Sequence, residues 1–210
     1  MKTIGRLHVL TDSELQSRWG HLDLARAALD GGAEAIQYRR KHGPTLLMLK
    51  EAIAIREACR RRKVSLVVND RVDIALFADA DGVHLGQQDI PIALARDLLG
   101  PGRIIGGSAD HEDEAGARHR EGVDYVGIGP IFVTTSKRDA GPVLGISGLA
   151  RAVRAANIPL IAIGGITAEN LAEVLATGVH GVAVLGAVCL AADPAVAVAK
   201  LRFLIEAHTA

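Results

Sequence analysis

The chain has 210 residues, 49% hydrophobic and 23% charged, the balance of a folded globular protein and not of a disordered one. Lysine plus arginine equals aspartate plus glutamate at 24 each, so the net charge is zero and nothing in it points to nucleic acid or a membrane surface as partner. Met1 to Asp12 does not read as a signal peptide and no apolar stretch reaches the roughly 18–20 residues that span a bilayer, so a cytoplasmic protein is expected.

Short apolar, β-branched runs alternate with helical patterns along the whole chain. Leu7 to Leu10 reads as a strand and Leu22 to Leu29 as a helix with apolar residues at i, i+3 and i+4. Ala35 to Tyr38 is the second strand and Leu46 to Cys59 the helix after it. Ser65 to Val68 follows, then a shorter helix-compatible connection from Arg71 to Asp79. Gly82 to Leu85 precedes a helix over Ile92 to Leu99, and Arg103 to Ile105 precedes a charged surface helix over His111 to Arg120. Tyr125 to Ile128, Leu160 to Ile163 and Val182 to Leu185 are the last three strands, with helices over Leu149 to Ala155, Asn170 to Ala176 and Ala195 to Ala207. Gly31-Gly32, Gly100-Pro101, Gly122, Pro159 and Gly178 punctuate the helix ends.

Strands that are apolar throughout, and not alternating, suit a parallel sheet buried on both faces. Eight strand–helix units of this kind predict a single compact (β/α)8 TIM barrel over residues 1–210. A doubly wound open sheet is the runner-up, and the absence of GxGxxG after the first strand counts against it. Cys59 and Cys189 sit among helical residues with no CxxC pair, so each is read as a buried structural thiol.

Barrel active sites lie at the C-terminal ends of the strands. The second strand there runs into Gln37, Arg39 and Lys41, the third into Asn69 and Asp70, the fourth into Gly86-Gln87-Gln88-Asp89, and the fifth toward Ser108. The sixth leads to Gly129-Pro130 and then Thr134, Thr135, Ser136 and Lys137, the seventh ends in Gly164-Gly165 and the eighth in Gly186. Cations, two carboxylates and bare glycine turns together point to phosphates and a hard metal such as Mg2+. The glycine turns after strands seven and eight match the usual barrel phosphate site, so two separate phosphate regions are expected. Taken singly, each residue has a plainer reading. Arg39, Lys41 and Lys137 could be solvated charges, Asp70 and Asp89 helix caps, and Gly164-Gly165 a tight turn. His84 is read as a packed structural histidine, and His111, His119 and His180 as surface residues.

Six stretches in order resemble the thiamine-phosphate synthase family: Gln37-Tyr38-Arg39-Arg40-Lys41, Val68 to Asp73, Gly82 to Asp89, Gly127 to Phe132, Thr134 to Lys137, and Ala162 to Thr167. The resemblance implies that Gln37, Tyr38, Arg39, Arg40, Lys41, Asn69, Ser108 and Lys137 hold a pyrimidine diphosphate. It implies that Asp70 and Asp89 bind Mg2+, and that Thr134, Thr135, Ser136, Gly165, Leu185 and Gly186 hold a thiazole phosphate. Arg39, Lys41, Lys137 and Ser108 would form the catalytic set. The implied reaction joins the two substrates into thiamine phosphate and releases diphosphate, and a homo-oligomer is left open. Ser136 and Gly186 depart from the family's usual Thr and Ser, and Tyr38 stands where Leu or Phe is common. The related thiazole tautomerases lack an aspartate at the Asp70 position and carry His at the Pro130 position, so this chain sides with the synthases. A tautomerase-like isomerase and a non-catalytic regulator that binds a thiamine-related ligand are the alternatives.

Overall fold

A computed structural model describes residues 3–136 and 141–209. The elements run β1 (Leu7–Thr11), α1 (His21–Asp30), β2 (Ala35–Tyr38), α2 (Thr45–Arg62), β3 (Ser65–Asn69), α3 (Val72–Phe77), β4 (Gly82–Leu85) and α4 (Ile92–Leu99). They continue with β5 (Ile104–Ala109), α5 (Glu112–Arg120), β6 (Tyr125–Ile128), α6 (Gly145–Ala155), β7 (Leu160–Ile163), α7 (Leu171–Leu175), β8 (Gly181–Val184), α8 (Gly186–Cys189) and α9 (Pro194–Thr209). The eight strands close in sequence order into a parallel barrel, β8 pairing with β1 through Val9↔Val184. The (β/α)8 expectation is met, and four strands have the expected bounds.

The parity of each strand divides the barrel into two layers. Leu7, Val9, Ile36, Leu66, Val68, Val83, Leu85, Ile105, Val126 and Ile128 face outward and join Leu29, Ile55, Leu149 and Leu201 of the helices in the main core. The alternate residues face the barrel axis, where Leu10, Ile104, Tyr125, Ile161 and Ala183 form a second cluster. Both cysteines are free and buried, as expected, and burial pushes the Cys59 thiol up to about 12 and the Cys189 thiol up to about 11.

Two corrections follow from the barrel interior and base. β5 runs on to Ala109 instead of ending at Ile105, because Gly106 and Gly107 continue the ladder without side chains. A Cβ on Gly106 would lie 2.3 Å from the Tyr125 ring and 2.5 Å from His84 Nδ1, so rings from neighbouring strands fill its place. His180 is half-buried and not a surface residue, with Nε2 2.9 Å from the Ile4 carbonyl. His111 and His119 are exposed as expected.

The N-terminal ends of the strands carry repeated clamps. Glu34 accepts the Arg6 N–H, Asp81 the Leu66 N–H and Asp124 the Ile105 N–H, at 2.7, 2.8 and 2.8 Å. Each carboxylate also pairs with an arginine from a helix: Arg202, Arg56 and Arg96 respectively. This face is therefore tied shut by charge-assisted bonds, and the opposite rim is left for chemistry. No described helix is long and apolar enough to cross a membrane.

Candidate active site

The rim over β2 to β5 gathers charge. Lys41 Nζ stands 2.6 Å from Asp70 Oδ2, and Asn69 Nδ2 hydrogen-bonds the other Asp70 oxygen. Asp70 takes a left-handed backbone, φ 63°, with its N–H on the His84 carbonyl at 2.9 Å. It does not cap α3, which starts from Arg71 without a side-chain cap. Asp89 folds back onto the Gly86 N–H at 2.6 Å and does not cap α4 either. Its carboxyl also meets that of Asp70. Burial, then the Asp70 charge, raise it above the usual carboxylate range against the lowering pull of the Gly86 N–H. Two carboxylates crowded together beside a lysine are an oxygen donor set of the kind Mg2+ takes when phosphates and water complete its shell. Among the described residues there is no group of three or more His, Cys, Asp or Glu side chains that could hold a metal ion.

Arg39 lies on the same rim, paired with Asp12 at the end of β1. Asp12 is buried, and its other oxygen accepts the Glu14 and Leu15 N–H groups at 2.7 and 2.8 Å, so the carboxylate is fixed before it meets the guanidinium. Sequence reasoning missed Asp12, although it follows a strand end like the residues that were singled out.

The side chains of Tyr38 and Arg40, which the resemblance assigns to the pyrimidine diphosphate, turn to helix α2. Both fall on the outward parity of β2. The Tyr38 hydroxyl donates to Glu51 on α2 at 2.6 Å, its ring packs edge-on against His21, and Arg40 grips the same Glu51 at 3.0 and 3.1 Å. Burial, then the Glu51 hydrogen bond, raise the Tyr38 hydroxyl far above its ordinary value. Gln37 has the inward parity and is 5% exposed. Ser108, also inward, places its hydroxyl 2.9 Å from His84 Nε2. His84 is packed as expected, its ring against Tyr125 inside the barrel, and it also touches Ser108, an expected site residue.

The rim over β6 to β8 is built from backbone. Gly165 has φ +67°, and a Cβ there would lie 2.7 Å from both Phe132 Cβ and the Val133 carbonyl oxygen. Asn170 Nδ2 holds the Gly165 carbonyl at 2.9 Å. A Cβ on Gly186, which opens α8, would lie 3.1 Å from the Ser136 hydroxyl. Thr134 Oγ1 accepts the Ser136 N–H at 3.2 Å, so the polar loop after β6 folds over the two glycines. Thr135 is exposed and Leu185 is buried against the inner cluster. Lys137 lies outside the described residues.

A family model described as thiamine monophosphate synthase matches residues 7–188. A thiamine-phosphate synthase of Salinibacter ruber is 51% identical over 205 residues, covering 98% of this chain and 90% of the relative. One of Chloroflexus aurantiacus is 48% identical over 202 residues, covering 96% and 93%. The solved thiamine phosphate pyrophosphorylase of Pyrococcus furiosus superposes with a TM-score of 0.89 at 40% identity, covering 98% of this chain and 97% of that one.

Proposed function

This chain belongs to the thiamine monophosphate synthase family, and on that premise we propose that it is a transferase that joins a pyrimidine diphosphate to a thiazole phosphate. The thiazole nitrogen attacks the methylene carbon of the pyrimidine, the bond from that carbon to the diphosphate oxygen breaks, and thiamine phosphate and diphosphate leave. One observation carries the reading: the rim divides into a charged half, with Arg39, Lys41, Asp70 and Asp89, and a half of bare glycine backbone and hydroxyls at Gly165, Gly186 and Ser136. Two substrates bearing phosphate need two such regions facing one another.

Arg39 and Lys41 hold the diphosphate and stabilise the negative charge that grows on the leaving oxygen, and the resemblance adds Lys137 to this set. Gln37, Asn69 and Ser108 orient the pyrimidine. Gly165, Leu185 and Gly186 offer backbone to the thiazole phosphate, and Thr134, Thr135 and Ser136 offer hydroxyls. Asp70 and Asp89 would hold Mg2+, which supplies positive charge to the diphosphate oxygens when bound. The ring amino group of the pyrimidine spreads the positive charge left as the bond breaks, so no nucleophilic side chain is required and catalysis is positioning plus electrostatics.

Ser136 and Gly186 keep a hydroxyl and a backbone N–H where the family usually has Thr and Ser. The experiment is substrate omission. Purified chain with Mg2+ releases diphosphate when both substrates are present and none without the thiazole phosphate. Release that ignores the thiazole would instead mark a hydrolase. No diphosphate chemistry at all would favour the tautomerase reading.

A further inference from the structure

The two oxygens of the buried Asp12 carboxylate do different things. Asp12 directly follows β1, beside the point where β2 passes from Tyr38 to Arg39, because Thr11↔Tyr38 is the last pair of that ladder. Oδ2 pairs with Arg39 Nη1, and Asp12 is the only hydrogen-bond partner of Arg39 among the described residues. Oδ1 closes a turn by accepting the Glu14 and Leu15 N–H groups, and Gln16 Nε2 donates to the Asp12 carbonyl at 2.9 Å. The chain then crosses the rim. Leu15 and Trp19 pack on the inner cluster that includes Leu185 and Cys189, and a Cβ on Gly186 would lie 3.9 Å from Leu15 Cδ2. Arg18 Nη2 donates to the Leu190 and Ala191 carbonyls at the end of α8, at 3.0 and 3.1 Å. Residues 12–20 therefore run from the charged half of the rim to the glycine half.

We propose that Asp12 is a positioning residue for both halves of the site: Oδ2 fixes the Arg39 guanidinium for the diphosphate, and Oδ1 fixes the turn that seats Leu15 beside Gly186 and the thiazole phosphate. The inference rests on the proposed reading of the site and adds to it the element that holds the two phosphate regions in register.

Arginine carries its five donors on a long, rotatable stem, and a guanidinium ordered only when substrate arrives loses binding free energy to its own ordering. A carboxylate prevents this only if it cannot itself move. Asp12 meets that condition, since it is 3% exposed and two backbone N–H groups hold its other oxygen. The Arg39 side chain is 14% exposed, so without Asp12 it is a largely buried charge lacking its partner and swings toward water. Asp12 takes one end of the guanidinium fork and leaves the remaining N–H groups for diphosphate oxygens. Both oxygens belong to one rigid group, so the turn and the guanidinium are set together.

Substitution separates the two tasks. In Asp12→Asn the turn N–H groups select the amide oxygen, so the turn stays and an NH2 faces Arg39, donor against donor. Asp12→Ala loses both interactions. Leu15→Ala keeps both and removes only the contact beside Gly186. Trp19 is the single tryptophan of the chain, and its fluorescence reports the loop whether or not the protein turns over.

The test combines that fluorescence with titration of inorganic diphosphate in Mg2+ and with steady-state kinetics. In Asp12→Asn the Trp19 emission is unchanged, Kd for diphosphate rises ~10-fold, kcat falls on the same scale and KM for the thiazole phosphate stays, the size of one charge-assisted hydrogen bond. Arg39→Ala with Asp12→Asn binds diphosphate no more weakly than Arg39→Ala alone. Asp12→Ala shifts the Trp19 spectrum and also raises KM for the thiazole phosphate, and Leu15→Ala raises that constant alone. Unchanged or tighter diphosphate binding in Asp12→Asn, or additive losses in the double variant, overturns the proposal, because Asp12 is then a plain turn residue or a competitor for Arg39. An unchanged thiazole phosphate KM in Leu15→Ala overturns it as well. Asp12→Asn and Leu15→Ala carry the test should Asp12→Ala fold poorly. A protein that makes no thiamine phosphate, yet binds diphosphate in this pattern, sinks the proposed reaction and keeps Asp12 as the anchor of Arg39. Normal turnover with an unaltered Asp12→Asn does the reverse.

Discussion

Gly106→Ala puts the smallest available perturbation at the centre of the barrel. The new methyl carbon would lie 2.3 Å from Tyr125 Cζ, 2.5 Å from Tyr125 Cε1 and 2.5 Å from His84 Nδ1. Each gap is about 1 Å or more inside an ordinary carbon contact. Neither ring can retreat. Tyr125 is 1% exposed, and His84 is backed by the β6 main chain at Gly127. Overpacking of this kind costs typically 1–3 kcal/mol, and two rigid rings put it in the upper half, at about 2 kcal/mol. Urea unfolding with an m of about 2 kcal/mol/M then shows Cm falling by about 1 M with m unchanged. Gly102→Ala is the control: no atom lies within 4 Å of its Cβ position, and the change stays within about 0.5 kcal/mol. The pyrimidine KM of Gly106→Ala also rises, since the displaced His84 ring is the one that touches Ser108. A Gly106→Ala protein as stable as Gly102→Ala would refute the packing argument.

Asp70→Ala and Asp89→Ala each lose most turnover while keeping the wild-type circular dichroism, and excess chelator does the same to the native enzyme; full activity in any of the three removes the metal from the account. Gly165→Val strains a left-handed position and pushes on Phe132 and Val133, so KM for the thiazole phosphate rises more than KM for the pyrimidine in steady-state assays. Equal effects on the two constants would point to unfolding. His8 is fully buried with Nε2 on the Gly5 carbonyl at 3.0 Å, and burial lowers its pKa from 6.5 to about 4. The unfolded chain therefore takes up this proton before the folded one, and stability falls as pH drops from 6.5 to about 4, by roughly 3 kcal/mol from this group. Denaturation curves of His8→Leu lack that component; an identical pH slope in the variant would show that His8 is not the cause.

How the sequence could and could not be read comes down to strand parity and to space. Ala35–Tyr38, Gly82–Leu85, Tyr125–Ile128 and Leu160–Ile163 were legible because unbroken apolar runs bounded by polar residues are what a doubly covered strand requires. The far half of β5 was not, because Gly106 and Gly107 carry no side chain to show a pattern; rings on other strands fill the interior beside Gly106. The stretch from Gln37 to Lys41 was read as one binding unit, yet a strand sends alternate residues to opposite faces. Gln37 and Arg39 therefore turn to the site while Tyr38 and Arg40 turn to Glu51. The same alternation, applied to His84 beside Asn69, would have placed its ring inside the barrel. Asp12 was open to the strand-end rule, since it directly follows the β1 run.

The central claim is that two phosphate-bearing substrates meet on one rim and exchange a single bond. Phosphorus NMR of the purified chain with both substrates and Mg2+ follows that event directly. The account predicts that diphosphate and thiamine phosphate appear together in equal amounts, and that neither appears when one substrate is left out. Diphosphate or inorganic phosphate accumulating without matching thiamine phosphate would contradict it.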